Sequence, residues 1–158
     1  MKEKIEMLMD MEAIKRLKYT YCYLADAGIA GDASKMDELV SWFTEDAWVD
    51  FSEFGIHQGK ESISVFYKEI VAGALSYSAH MVSNPIIDID GHRAHGKWYV
   101  FVPCTLRQTE TAAWLQGKYE EDYRKIEGRW YWQSMTARFD FISPFDEGWV
   151  KHRMINNP

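Results

Sequence analysis

The sequence predicts an α+β fold in which helices pack on one face of a mainly antiparallel sheet. Near the start of the chain, apolar residues recur at helical spacing, as Ile14, Leu17, Tyr21 and Leu24 do. The second half consists of long apolar runs separated by short turn signals, which is typical of β-hairpins. Helices followed by an antiparallel meander give one sheet with the helices on one face.

About three N-terminal helices are predicted. Asp10 is a candidate cap for the start of the first helix, which the pair Ala27 and Gly28 should end. The second helix opens at Asp32, also a candidate cap. A third covers residues 60–72, with one apolar face formed by Ile63, Phe66, Tyr67 and Ile70.

Five strands are predicted, and the long ones form two hairpins. The first hairpin turns at Asp90 and Gly91, because both residue types tolerate positive φ, and the second turns at Glu127 and Gly128. The predicted strands cover residues 48–51, 78–89, 93–106, 113–126 and 129–142.

Both faces of the strand at residues 93–106 are apolar. Trp98, Val100 and Cys104 share one face by strand parity, while Tyr99 and Phe101 share the other. One face must cover helices or a pocket. The other then needs a partner surface, most simply another copy of the chain, which predicts a homo-oligomer.

Composition indicates one domain over residues 1–158, with residues 143–158 as a C-terminal tail. The 158 residues suffice for one sizeable core, and aromatic residues make up 15% of the chain. The net charge is −6, which disfavours nucleic acid and anionic membranes as partners. With two cysteines that form no evident framework, no signal peptide and no membrane-spanning segment, a cytoplasmic location is expected.

His80 is the residue that points most directly to chemistry. It stands in a stretch that reads as a half-buried strand, where a neutral imidazole can accept a proton near neutral pH. Asp26, near the end of the first helix, could hold one ring nitrogen. From the residues alone, a core or interface histidine bonded to backbone is the favoured interpretation.

Several segments resemble the SnoaL-like branch of the nuclear transport factor 2-like superfamily. They are residues 13–17 before Tyr21 and Asp26, residues 43–47, the strand ending at His80, and residues 117–130. The resemblance spans about residues 10–145. It implies a cone-shaped α+β barrel with a curved sheet. Within the branch the chain is similar to scytalone dehydratase, the bile-acid dehydratase and hexachlorocyclohexane dehydrochlorinase.

These relatives imply an elimination enzyme without a cofactor or metal, and a homotrimer, with a dimer as the alternative. Matched position by position, the family's catalytic histidine falls on His80, its helix-end aspartate on Asp26 and a helix tyrosine on Tyr21. Asp32 takes the aspartate's place if an insertion is allowed.

Other pocket positions depart from the family pattern. A tyrosine of both dehydratases is Phe51 here, and a second histidine of scytalone dehydratase is Cys104. Its serine and asparagine on the next strand become Gly117 and Tyr119. Phe51, Cys104 and Tyr119 are therefore expected to contact substrate without fixing its identity.

Two more residues, Trp98 and Arg138, are candidates for substrate contact. Trp98 could form pocket wall or core, and Arg138 could anchor an anionic or phenolic group or lie in a surface ion pair. Glu121 shares a face with Tyr119 and is a weaker candidate for a second acid. His92 and His95 point to opposite strand faces, so a shared metal ion is not expected.

The predicted function is that of a cofactor-independent lyase acting on a hydrophobic cyclic or aromatic small molecule, with His80 and Asp26 removing a proton and Tyr21 assisting the leaving group. Three alternatives stay open. They are carbon–carbon cleavage releasing formaldehyde from a lignin-derived diaryl compound, isomerisation by proton transfer, and non-catalytic binding of a small molecule.

Overall fold

The computed structural model describes residues 1–155, and the predicted α+β class is confirmed. The helices, in chain order, are α1 (Lys2–Ile29), α2 (Ala33–Ser41), α3 (Lys60–Val65), α4 (Ala72–Ala74) and α5 (Gly148–Lys151). The strands are β1 (Phe43–Asp50), β2 (Ile56–Gln58), β3 (Leu75–Ser78), β4 (Met81–Asp90), β5 (Arg93–Leu106), β6 (Thr111–Ile126) and β7 (Arg129–Pro144).

The strands form one curled sheet in the order β2-β1-β7-β6-β5-β3, and β4 also pairs with β5. Only β1 and β7 pair in parallel among the described strands. The β4–β5 and β6–β7 hairpins turn at Gly91 and Gly128, both with positive φ, as the sequence predicts. The helices cover the concave face, giving the cone-shaped barrel.

The close approach of β6 to β7 depends on Gly117. The pairing register shifts between Gln116 and Gly117, where a bulge bends the strand. A Cβ atom at Gly117 would lie 2.2 Å from the carbonyl oxygen of Arg138. Only glycine therefore lets the two main chains approach this closely.

Helix α1 is longer than predicted at its N-terminal end. It begins at Lys2, so Asp10 lies inside the helix and does not cap it. The Asp10 carboxylate instead accepts hydrogen bonds from Lys125 Nζ at 2.7 Å and Trp130 Nε1 at 3.0 Å. Gly28 does not end the helix either. It gives room to Met36, whose side chain a Cβ atom would meet at 2.5 Å.

The third predicted helix is interrupted by a wider turn. After α3 the chain forms a π-helical segment, Phe66–Val71, before α4. Ile63, Phe66 and Tyr67 are buried as predicted, whereas Ile70 is 37% exposed. The additional residue in the π turn rotates Ile70 away from the core.

The strand-parity prediction for β5 is supported by burial. Trp98, Val100 and Cys104 lie in the core, while Tyr99 on the opposite face is 46% exposed. The tail after β7 turns back, and Ile142 exchanges backbone hydrogen bonds with Arg153 and Ile155. No helix in residues 1–155 is long and apolar enough to cross a membrane.

Candidate active site

A largely apolar cavity lies between α1, the π-helical segment and the concave face of the sheet. Its volume of about 70 Å³ is several times the space that one water molecule requires, so the cavity is large enough to hold more than a single water molecule. The residues that line it are Tyr21, Ala25, Phe51, Phe54, Phe66, Val71, Ala74, Leu75, His80, Val102, Cys104, Leu106, Leu115, Tyr119, Phe139 and Ile142.

His80 and Asp26 are in direct contact at this cavity. His80 lies in the link between β3 and β4, and Asp26 projects from the last turn of α1 toward that link. His80 Nδ1 is 2.6 Å from Asp26 Oδ1. Two residues that are 54 positions apart in the sequence are thus joined by α1 packing across the sheet.

The Asp26 carboxylate is held in place by two further hydrogen-bond donors. Ser78 Oγ donates to Oδ1 at 2.6 Å, and the backbone N–H of His80 donates to Oδ2 at 3.0 Å. Burial raises the pKa of Asp26, but the hydrogen bonds and the nearby imidazole outweigh burial and hold the pKa below its ordinary value. Asp26 is therefore an anion at neutral pH.

Asp32, the alternative partner, has a different role. Its carboxylate accepts a hydrogen bond from the backbone N–H of Ser34 at 3.1 Å, which caps α2. The side chain is exposed on the protein surface. The structure therefore brings Asp26 to His80, and not Asp32.

The contact with Asp26 fixes the protonation pattern of the neutral His80 ring. Since a carboxylate only accepts, Nδ1 carries the proton and Nε2 keeps its lone pair. No hydrogen-bond partner of Nε2 is found within residues 1–155. The ring belongs to the cavity lining and can act there as a base.

Tyr21 lies next to His80 in a cluster of phenols. Its ring packs edge-on to that of His80, with 6.1 Å between centroids. The Tyr67 hydroxyl is 3.3 Å from that of Tyr21. Burial, together with the neighbouring phenols Tyr119 and Tyr67, raises the pKa of Tyr21 well above its ordinary value, so this phenol is a proton donor in hydrogen bonds.

Phe51, Cys104 and Tyr119 all line the cavity. Burial raises the pKa of the Cys104 thiol to about 11, so the thiol stays protonated at neutral pH and is a poor nucleophile. Gly117 does not line it, because its place is the contact between β6 and β7 described above.

Trp98 and Arg138, the two other candidates for substrate contact, lie outside the lining of this cavity. Trp98 is buried in the core, where its indole N–H donates to the Tyr123 hydroxyl at 3.1 Å. Arg138 points to the other face of β7 and pairs with Asp50 at the surface. Neither side chain lines the cavity.

A buried ion pair between Lys18 and Glu121 lies behind the tyrosines. Sequence reasoning noticed Glu121 but missed Lys18. A signal was present, because Lys18 follows Ile14 by four residues and precedes Tyr21 by three, which places it on the apolar face of α1. Glu121 is not a second acid at the cavity, since it is fully buried and already paired.

The other histidine–carboxylate contact on the sheet is at the surface. His95 Nδ1 lies 2.9 Å from Asp122 Oδ1, and both side chains are exposed. No group of three or more histidine, cysteine or acidic residues suited to a metal ion occurs in residues 1–155.

The fold and the site define a small cone-shaped α+β domain with a histidine–aspartate pair beside an apolar cavity. The sequence profile of the SnoaL-like domain matches residues 6–136, which is most of the chain, and the protein belongs to that family. A search of the curated proteins finds no match.

Solved structures with the same fold are numerous. A provisionally named scytalone dehydratase from Novosphingobium aromaticivorans is 21% identical, with a TM-score of 0.79, over 90% of this chain and 91% of that one. A LinA-type3 hexachlorocyclohexane dehydrochlorinase from Novosphingobium barchaimii is 17% identical, with a TM-score of 0.79, over 90% and 94%. A provisionally named aromatic ring hydroxylase from Novosphingobium aromaticivorans is 25% identical, with a TM-score of 0.75, over 87% and 94%.

Proposed function

We propose that this protein is a cofactor-independent lyase that eliminates water or a similar small group from a hydrophobic cyclic or aromatic molecule. The proposal rests on the 2.6 Å contact between His80 Nδ1 and Asp26 Oδ1 on the wall of an apolar cavity. Such a pair combines a base with a fixed carboxylate that stabilises the base once it is protonated. Names of similar structures, a dehydratase and a dehydrochlorinase, support elimination as the reaction.

In the proposed reaction, His80 Nε2 removes a proton from a carbon, or from a hydroxyl group, of the substrate. When the proton comes from a carbon, the electron pair of the broken C–H bond forms the new C=C bond and the bond to the leaving group breaks. When it comes from a hydroxyl group, the electron pair of the broken O–H bond forms a C=O bond, and the electron pair displaced along the conjugated system breaks the bond to the leaving group. Asp26 stabilises the imidazolium ion that forms. The proton on His80 then passes to the departing hydroxide, which leaves as water, so the protein returns to its starting state.

Tyr21 assists the leaving group by hydrogen bonding. Its raised pKa means that it keeps its own proton at neutral pH, so it acts as a donor and not as a base. A hydrogen bond to the leaving oxygen strengthens as negative charge develops on that atom. The position of Tyr21 beside His80 suits this role.

The test is a comparison of His80→Ala with wild-type protein on a panel of cyclic and aromatic compounds, read by mass spectrometry. Loss of general-base catalysis should lower turnover by about 10²- to 10⁴-fold while ligand binding persists. His95→Ala is the matched control, since its pairing with Asp122 is exposed and lies outside the cavity. Unchanged turnover in His80→Ala would refute the proposal.

The same assay separates the alternatives by the mass that is lost. Water or halide loss indicates elimination, and loss of formaldehyde indicates carbon–carbon cleavage. A product of unchanged mass with altered retention indicates isomerisation. Compounds that bind but are never converted, by wild type and variant alike, would favour a binding protein.

We also propose a homo-oligomer, with a trimer favoured over a dimer. The outer sheet face carries an aromatic patch in which Trp114 packs against Phe101, Phe145 and Trp149. The indole N–H of Trp114 is buried and has no partner within residues 1–155, and covering this patch would remove apolar surface from water. Light scattering at micromolar concentration that gives a monomer mass would reject the oligomer.

A cytoplasmic location is part of the same proposal. Cys22 and Cys104 are both free thiols, which fits a reducing compartment. Fractionation of the source cells with detection of the native protein is the direct measurement.

A further inference from the structure

The ion pair between Lys18 and Glu121 joins α1 to β6 directly behind the cavity wall. Both side chains are fully buried. Glu121 also accepts hydrogen bonds from the Tyr123 hydroxyl and from Trp132 Nε1. Three donors from three different elements therefore satisfy this carboxylate.

The Lys18 ammonium group faces two aromatic rings as well as Glu121. Its Nζ atom lies 3.5 Å from the centroid of the Tyr119 ring and 4.3 Å from that of Tyr21. Both tyrosines line the cavity, and Lys18 does not. The positive charge is thus placed against the back of the two phenols that the cavity presents.

Stability alone gives a weak reason for such a pair. Removing two charges from water costs several kcal/mol per ion by order of magnitude, and apolar residues of similar size often serve a core equally well. Interaction of the ammonium group with the ring faces, in contrast, holds the two rings in one orientation. That orientation decides where their hydroxyl groups point.

We propose that Lys18, held by Glu121, is a positioning residue that fixes Tyr21 and Tyr119 as hydrogen-bond donors to an oxygen atom of the substrate. This inference rests on the proposed function in taking the cavity as the substrate site. It adds both a role for the buried ion pair and a chemical class for the ligand.

Burial explains why both hydroxyl groups remain donors. Burial raises the pKa of both tyrosines well above the ordinary value, so the two hydroxyl groups keep their protons. Fixed donors stabilise negative charge that develops on a substrate oxygen.

The remaining cavity wall narrows the class of ligand. His80 belongs to the lining of this cavity, but no lysine, arginine, aspartate or glutamate of residues 1–155 does. A carboxylate or phosphate would therefore lose its hydration without gaining a counter-charge. The ligand is an uncharged ring compound that carries a hydroxyl or carbonyl oxygen.

The test measures binding of 4-nitrophenol and nitrobenzene by calorimetry below the pH at which 4-nitrophenol ionises. The two compounds differ by one hydroxyl group. The main variant is Lys18→Met combined with Glu121→Gln, which removes both charges but leaves an amide oxygen for Tyr123 and Trp132. Tyr119→Phe removes one proposed donor and keeps the ring.

Wild-type protein should bind 4-nitrophenol more tightly than nitrobenzene. The double variant Lys18→Met with Glu121→Gln should bind 4-nitrophenol about five- to tenfold more weakly than wild type, which corresponds to roughly one hydrogen bond. Its affinity for nitrobenzene should fall by less than about twofold. Tyr119→Phe should likewise lose affinity for 4-nitrophenol and keep its affinity for nitrobenzene. Combining Tyr119→Phe with the double variant should cause little further loss of affinity, because Lys18 acts through the tyrosines.

Equal weakening of both compounds would reduce the ion pair to a packing role and overturn the inference. Equal affinity of wild-type protein for the two compounds would also overturn it, without any variant, as would a Tyr119→Phe protein that keeps its preference. These results involve no turnover, so they leave the role of His80 untouched. An active His80→Ala protein would conversely refute the lyase but not the tyrosine donors.

Discussion

Two pairs of a carboxylate and a nitrogen base connect α1 to the sheet region, and one is partly exposed whereas the other is fully buried. Asp26 and His80 side chains are 27% and 10% exposed, whereas Glu121 and Lys18 are both 0% exposed. Both carboxylates accept several hydrogen bonds. Of these four residues, only His80 belongs to the lining of the cavity. The same chemical components would therefore serve the proposed reaction at one place and the proposed positioning of the tyrosines at the other.

The largest expected effect that separates the two pairs is that of Asp26→Asn on turnover. The amide presents an N–H group to His80 Nδ1 or loses the contact, and the ring then favours the tautomer with a proton on Nε2. Turnover should fall by about 10²- to 10⁴-fold. Single-turnover kinetics measure this, and Asp32→Asn, which alters only the α2 cap, is the control. Equal turnover by the Asp26→Asn and wild-type proteins would contradict the proposed role of Asp26.

Next in size is the loss of stability in Lys18→Ala. Glu121 would remain buried without its counter-charge, and the free energy of unfolding should fall by about 3–5 kcal/mol. Urea denaturation measures this change. Lys15→Ala is the control variant, because Lys15 pairs with Glu12 on the exposed side of the same helix. Its free energy of unfolding should fall by less than about 1 kcal/mol. Similar losses for the two variants would show that the buried pair is no different from a surface pair.

A smaller effect is expected from Ser78→Ala, which removes one of the donors to Asp26 and keeps the two from His80. The loss of one hydrogen bond to a charged group should cost about 1.5–3 kcal/mol at most, shared between stability and turnover. Measuring both in the same preparation separates the two. Ser41→Ala, at an exposed position in α2, should change neither. A Ser78→Ala protein that matches wild type in both respects would show that Asp26 is held by His80 alone.

The smallest expected effect is on the pH dependence of unfolding. Because the pKa of Asp26 is lowered in the folded protein, its carboxylate stabilises the fold above the unfolded-state pKa of about 3.9. That contribution is lost as the pH falls through the lowered folded-state pKa. The difference in unfolding free energy between wild type and Asp26→Asn should thus shrink between pH 5 and the acid limit. A difference in unfolding free energy that stays constant across this pH range would contradict the lowered pKa of Asp26 in the folded protein.

Local signals in the sequence were sufficient for most of the sheet. The turns at Gly91 and Gly128 depend on the residues at the turn itself, and strand parity then fixes which side chains of β5 face the core. The sequence contains no comparable local signal for the extra residue in the π-helical turn, so the exposure of Ile70 was not predicted. Its cause is backbone geometry and not residue type.

The candidate site was less accessible to sequence reasoning. The pairing of His80 with Asp26 spans 54 positions, and the family resemblance suggested it where helical spacing alone did not. For Arg138 the sequence left a surface ion pair open beside substrate contact, and the structure pairs it with Asp50. Lys18 was missed since a charged residue on an apolar stripe is ordinarily read as exposed.

The close approach of two main chains at Gly117 has a consequence for how this pocket could change. Any side chain added there would collide with a peptide group, so the wall between β6 and β7 cannot be widened by a single substitution at that point. Variation in ligand size must instead come from trimming or enlarging side chains such as Phe51, Leu115 and Ile142. New specificities would therefore arise by exchange of lining residues within a chamber whose outline the backbone keeps constant.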